Sequence, residues 1–442
     1  MKTAPNSMLK KPLALMILAA SVSMGSTAMA AEASQSNQSQ AEQIAALKQA
    51  LAAQQEQLDA LTAALESQMS AQPSAVAPSN SGAAMSGSYQ TSAGQSAAGQ
   101  VTAPVPNAFS GLQTGQTSLG GYAEAHYNNL NGDTAAQDKT EIDLHRFVLF
   151  LGHQFSEDVR FYSELEVEHA VAGEGADGEV ELEQAFIEWD YMQGHAARAG
   201  VFLPPVGLLN ETHEPDTFYG VERNNVERNI IPTTWWEAGI GASGEVLPGL
   251  SYNASVTSGL KLADGDFKVR DGRQKASEAD ANDLAYTAAL NYVAAPGVTI
   301  GAAVQYQSDL TQSDPASTVG RIDGVLTEAH IDMQRGNLGL RALVANWSFD
   351  DEINQLAEGA DQQFGWYLEP SYLLSDNLGV FARYSEWDNQ AGANLATKTD
   401  QIDLGFNYWL VDTVVLKADY QIQDSEADKG QDGFNLGVGW SF

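Results

Sequence analysis

One stretch of the chain concentrates side chains able to bind, orient or exchange charge. Between Leu203 and Trp236 lie Glu211, His213, Glu214, Asp216, Glu222, Arg223, Glu227 and Arg228, interleaved with Phe218, Tyr219, Ile230 and Ile231. Carboxylates, guanidinium groups and an imidazole in this mixture can set up a transverse field that orients a polar solute. They can equally tie a loop to charges on a wall, because partly buried charges need partners. The mixture does not spell catalysis. The chain contains no H-E-x-x-H, G-x-S-x-G or Walker loop. His145, His153 and the lone His213 give no metal-ligand spacing. The sequence therefore predicts no enzyme, no cofactor and no metal. Prolines at 204, 205, 215 and 232 keep this stretch from being a strand. A loop of this length between strands is usually functional or disordered, and its apolar residues argue that it packs against something.

The elements around it follow a period of two from Ser118 to Phe442. In the last stretch Phe434, Leu436, Val438, Trp440 and Phe442 share one face, opposite Asn435, Gly437, Gly439 and Ser441. Ile402, Leu404, Phe406, Tyr408 and Leu410 repeat the pattern, as do Val414, Leu416, Ala418, Tyr420 and Ile422. Sixteen candidate strands lie near 118–129, 140–154, 158–170, 178–192, 196–203, 235–246, 250–260, 284–294, 297–307, 324–333, 337–348, 363–374, 378–387, 400–410, 413–423 and 433–442. Their parity is ambiguous in places, notably from Glu141 to Phe155. Short joins such as Leu247-Pro248-Gly249 and Ala295-Pro296-Gly297 alternate with long ones. An even strand number, tight turns at one end and long loops at the other predict an all-β fold, a 16-stranded antiparallel transmembrane β-barrel. Leu203–Trp236 becomes its third external loop, expected to fold into the lumen and narrow it. By strand parity the facing wall positions are Arg146, Arg160, Glu164, Glu166, Glu168, Glu188 and Arg198. Trp189, Tyr191, Tyr408, Tyr420, Trp440 and Phe442 fall near strand ends on outward positions, where a membrane boundary would hold them. Acids crowd the other long loops, among them Asp264, Asp266, Asp271, Glu278, Asp280 and Asp283, and are expected to be solvated surface charge.

Composition bounds the rest. The chain has 442 residues, no cysteine and a formal net charge of −35. It cannot be a disulfide scaffold, and so acidic a chain is a poor partner for nucleic acid. Residues 1–30 read as a signal peptide: Lys2, Lys10 and Lys11, then an apolar run, then Ala28-Met29-Ala30. No later apolar run reaches the ~20 residues of a spanning helix. Within 31–70, Ile44, Leu47, Leu51, Leu58, Leu61 and Leu65 form a heptad seam, which predicts an N-terminal coiled-coil helix in the periplasm. Residues 71–117 read as a flexible linker rich in Ser, Gly, Ala and Gln, and 118–442 as the barrel.

Four stretches carry a family likeness: Glu183-Gln184-Ala185-Phe186, Arg198 to Gly207 (R-A-G-V-F-L-P-P-V-G), Phe218 to Asn224 (F-Y-G-V-E-R-N) and Ile231 to Glu237 (I-P-T-T-W-W-E). They resemble bacterial outer-membrane porins of the phosphate-selective porin O/P superfamily. The resemblance implies a trimeric sixteen-stranded channel with an inward third loop. The function expected of the chain is passive diffusion of small hydrophilic solutes, with anions such as carboxylates among them. The coiled coil resembles that of the dicarboxylate-channel porins. The chain departs from phosphate-selective members in lacking a run of inward arginines or a lysine-rich ring, with 22 Lys plus Arg against 57 acids. The expected partners are outer-membrane lipid, further copies of the chain as a homotrimer, and the solutes. The competing reading is a barrel anchor whose coiled coil tethers or spaces the cell envelope.

Overall fold

A computed structural model of the protein describes residues 116–442 apart from 174, 177 and 263–265, together with the backbone of 113–114. The stretches read as signal peptide (1–30) and coiled coil (31–70) lie outside the described residues, as does the stretch read as linker (71–117) apart from its last few residues, where 113–114 and 117 are strand. The period-two pattern becomes strands at the sixteen expected places. A two-residue β1 (Gln113–Thr114) pairs with β2 (Thr117–Gly132). There follow β3 (Lys139–Gln154), β4 (Val159–Glu168), β5 (Val180–Met192), β6 (His195–Phe202), β7 (Glu237–Leu247) and β8 (Leu250–Thr257). Next come β9 (Ala285–Ala295), β10 (Val298–Gln307), β11 (Gly324–Arg335), β12 (Leu338–Phe349) and β13 (Gln362–Ser375). The chain ends with β14 (Leu378–Asp388), β15 (Thr399–Val411), β16 (Val414–Ser425) and β17 (Gln431–Ser441). Each pairs antiparallel with its neighbour, and β17 returns to β2, from Gln431↔Gly132 to Ser441↔Tyr122. β2 to β17 thus close into a sixteen-stranded barrel, which removes the sheet edges.

Connection lengths alternate strictly. Two-residue turns such as 248–249 and 296–297 face one end, and connections such as 169–179, 203–236 and 258–284 face the other. These two turns are Pro-Gly pairs, with positive φ at Gly249 (80°) and Gly297 (72°). That is the conformation in which glycine follows proline without strain.

Alternation also sorts the two faces. Along β15, Gln401, Asp403 and Asn407 are buried inward while Ile402, Leu404, Phe406 and Tyr408 are exposed on the outside. The outer face is apolar strand after strand, as contact with lipid requires. The inside holds an apolar core to which Val226, Ile230, Ile231 and Trp235 of segment 203–236 contribute, with Leu260, Leu262 and Val269 of the next long connection. These pack against Leu343, Ala345 and Trp347 of β12 and Tyr367 of β13.

An outward arginine tests this sidedness. Leu404→Arg, in mid-strand, is expected to cost about 2–4 kcal/mol of stability in lipid vesicles, and Leu410→Arg, beside the turn, about 0–1 kcal/mol. Equal costs in denaturant unfolding would place the outer face away from lipid.

Candidate functional site

Segment 203–236 is held first by itself. The Asn210 side chain donates to the carbonyls of Pro204 (2.8 Å) and Trp235 (3.0 Å) and accepts from Trp235 N–H (2.8 Å), pinning the two ends together. Buried Glu227 accepts from the backbone N–H of Leu208 (2.6 Å) and Leu209 (2.7 Å), from Asn224 Nδ2 (3.0 Å) and from the Tyr367 hydroxyl (2.8 Å). These bonds occupy both carboxylate oxygens, so Glu227 shapes the segment and leaves no oxygen for a solute.

Contacts then run to both sides of the barrel. On one side, Arg146 of β3 is buried and donates to Glu124 (2.5 Å), to the Tyr122 hydroxyl (3.1 Å) and to the carbonyl of His213 (2.7 Å). His213 Nε2 lies 3.5 Å from Glu164 of β4 and 3.4 Å from Glu183 of β5, all three buried. On the far side, Trp347 Nε1 of β12 donates to the carbonyl of Ile230 at 3.0 Å. β4 and β12 stand eight strands apart in a ring of sixteen, so a segment joined to both crosses the lumen. Arg383 of β14 donates to the carbonyl of Tyr219 (3.3 Å) and pairs with Glu369 (2.9 Å) and Asp403 (3.0 Å). Asn407 donates to the carbonyl of Phe218 (2.9 Å), Val221 N–H to Asp419 (2.6 Å), and Lys417 lies 3.6 Å above the Phe218 ring.

The remaining residues singled out in the sequence fall as follows. Glu211 faces Arg198 at 3.6 Å, and Arg198 stacks 4.3 Å over Phe202. Asp216 accepts from Ser441 at 3.3 Å, and Glu222 contacts His126 (3.2 Å) and Asn128 (3.1 Å) of β2. Glu214 and Glu166 are buried, Arg228 is exposed, and Arg223 has a buried Nη1 with no hydrogen-bond partner among the described residues. Arg160 pairs with Glu188 and Asp190 beside the short turns, while Glu168 joins Glu179 and Glu181 at the opposite end.

Sequence reasoning missed Glu124, Glu183, Arg383, Lys417 and Asp419. Glu124, Arg383, Lys417 and Asp419 occupy inward positions of alternating strands, where parity was the signal that could have found them, whereas Glu183 is the unpaired residue of a register shift in β5 that alternation does not assign. In connection 258–284 the described acids Asp266, Asp271, Glu278 and Asp280 are exposed, as expected. The sequence reading did not single out Arg270 and Arg273 of that connection, which donate to the carbonyls of Thr233 and Thr234. Arg223, Arg228 and Arg273 thereby come within electrostatic range of Arg270. Burial, then repulsion by Arg273, Arg228 and Arg223, lowers Arg270 to about 8.

Burial alone would lower the His213 imidazole, but Glu164 and Glu183 outweigh it and raise it to about 10. Burial pushes the Glu214 carboxyl up to about 7. Burial opposes ionisation of Glu222 too, yet the hydrogen bond and charge of His126 hold it well below the usual carboxylate range.

A closed sixteen-stranded barrel with an apolar exterior and a charged segment across its lumen defines a transmembrane β-barrel of the outer-membrane type. Residues 118–433 match the family model of phosphate-selective porin O and P, and the chain belongs to that family of outer-membrane porins. An uncharacterized protein of Aquifex aeolicus (strain VF5) is 31% identical over 356 residues, 74% of this chain and 80% of that protein. Among solved structures, the anion-selective porin from Comamonas acidovorans aligns with a TM-score of 0.54 at 14% identity, covering 74% of this chain and 99% of that one. The outer membrane channel DcaP of Acinetobacter baumannii aligns at 0.53 and 14%, covering 75% and 99%.

The tether at His213 carries a pH dependence. Its bound-state value near 10 exceeds the ordinary 6.5, so the stabilisation is complete below about 6.5 and is lost as pH rises through about 10. The hydrogen-exchange protection of segment 204–236 in the native protein, relative to the intrinsic base-catalysed rate at each pH, is expected to fall across that window, while His213→Gln is weakly protected throughout. Wild-type protection that does not change over the window would contradict the tether.

Proposed function

We propose that the barrel passes small hydrophilic solutes by passive diffusion, through a bore narrowed by the third long connection, and that it works as a homotrimer in the outer membrane. One observation carries the reading: the segment is joined to β4 on one side and β12 on the other by polar contacts. An element strung across the lumen must set its free width, and the charges along it must set the field there. Glu211, His213, Glu214, Asp216, Glu222, Arg223 and Arg228 form its charged face, with Glu227 as its internal pin. Arg146, Arg160, Glu164, Glu166, Glu168, Glu188 and Arg198 supply one wall. Arg383, Lys417 and Asp419 supply part of the other.

Anionic solutes, carboxylates among them, are the class this interior favours, although the whole chain is acidic. Arg223 and Arg228 lie on the segment, Arg270 and Arg273 donate to its carbonyls, and Arg223 Nη1 is left with donor capacity. The trimer rests on the family resemblance. A barrel that only anchored the envelope would have no use for a shaped segment across its lumen.

Planar-bilayer recording of the purified protein separates channel from anchor, since an anchor gives a silent barrel. Deleting 210–229 is expected to raise single-channel conductance, and a folded deletion variant with unchanged conductance would remove the segment from the bore. Arg270→Ala combined with Arg273→Ala is expected to shift the reversal potential in a KCl gradient towards cations. No shift would discard the anion preference.

A further inference from the structure

The lumen wall carries a second polar cluster that the channel reading does not use. It begins with a register defect. β2 and β3 pair as Glu124↔Arg146 and then Ala125↔Leu144, so His145 is an extra, unpaired residue. A bulge of this kind turns two successive side chains towards the same face. The His145 ring accordingly stacks on His126, inside the barrel, at 4.7 Å and 14°. Where β4 runs into connection 169–179, His169 takes a left-handed φ of 55°, and its N–H donates to the carbonyl of His145 at 3.3 Å. That fold-back brings both imidazoles onto one carboxylate: Asp143 Oδ2 is 2.8 Å from His169 Nδ1 and 3.4 Å from His145 Nδ1.

We propose that Asp143, His145 and His169 bind a divalent first-row transition-metal ion of the zinc, nickel or copper class on the lumen wall. One ligand atom from each lies within 4.8 Å of the others. In a tetrahedral site with bonds of about 2.1 Å the ligand atoms stand about 3.4 Å apart, so the observed spacing needs only small side-chain adjustments. Two imidazoles and one carboxylate suit borderline cations, whereas calcium and magnesium require an all-oxygen shell. Three protein ligands leave a position open to water or a passing solute. The cluster is open to that traffic: the side chains of His145 and His169 retain 27% and 41% of their exposure. The other histidines nearby are committed elsewhere. His126 uses both ring nitrogens on Glu124 and Glu222, each at 3.2 Å, and His213 lies between two buried glutamates. No sequence spacing announces the site, because its ligands meet only through the bulge and the next strand's fold-back.

The test measures binding directly and so stands apart from whether the barrel conducts. Untagged full-length protein, folded in detergent, is titrated with zinc chloride against a chromogenic chelator, with calcium chloride as comparison. One saturable zinc site per chain is expected, with no response to calcium. Losing even an outer-shell partner weakens metal affinity by about 10–100-fold. His145→Ala and His169→Ala should each therefore weaken zinc by at least about tenfold, whereas His153→Ala leaves it unchanged. Retained heat-modifiable gel mobility shows that each variant is folded, and exposed His169 is the substitution least coupled to folding. Absence of saturable binding up to millimolar zinc, or binding that survives both substitutions, overturns the proposal.

Discussion

A protonated imidazole taken out of water must be met by negative charge, and a buried carboxylate must be met by positive charge. His213 with Glu164 and Glu183 answers both demands at once. Removing one partner from a buried arrangement of this kind typically costs about 3–5 kcal/mol, because the charge left behind is stranded. The two carboxylates belong to the barrel wall and the imidazole to the segment that crosses the lumen, so the energetic demand of each holds the other in place. Arg146 extends the arrangement by binding Glu124 of the wall and the His213 carbonyl of the segment.

The crossing segment is amphipathic across the barrel rather than along a helix or strand. Ile230, Ile231 and Trp235 sink into an apolar core against β12 and β13, while the stretch from Glu211 to Arg223 meets charged walls on the remaining strands. Burying each large apolar side chain contributes about 1.5–3 kcal/mol, which anchors one half. Charge pairing positions the other half. Asn210 and Glu227 fix the shape between them by satisfying backbone groups that a strand ladder would otherwise have satisfied.

Much of this was legible in the sequence, for reasons that are physical. A strand with lipid on one face and side chains packed on the other must alternate, so stretches such as Gln401–Leu410 announce themselves. Pro-Gly turns mark the short end, and a proline-broken stretch with Phe218, Tyr219 and Ile231 cannot be an ordinary solvated loop. Parity was ambiguous over Glu141–Phe155 because the bulge at His145 shifts the face on which later residues appear. The charge partners were hidden because they are long-range: Arg383 meets Tyr219 and Asp419 meets Val221 only after the barrel closes. Arg270 and Arg273 were masked by the acids around them in the chain, and nothing local to Glu227 distinguishes a loop pin from a solute-facing charge.

The account depends on the segment being held to the wall by charge, and a double-mutant cycle reads that directly. Unfolding free energies of His213→Ala, Glu183→Gln and the pair, measured below pH 6.5, should show a coupling of about 1.5–3 kcal/mol, well above the scatter of independent sites. Additivity of the two substitutions within about 0.5 kcal/mol would mean that the imidazole and the carboxylate do not hold each other, and the crossing segment would need another cause.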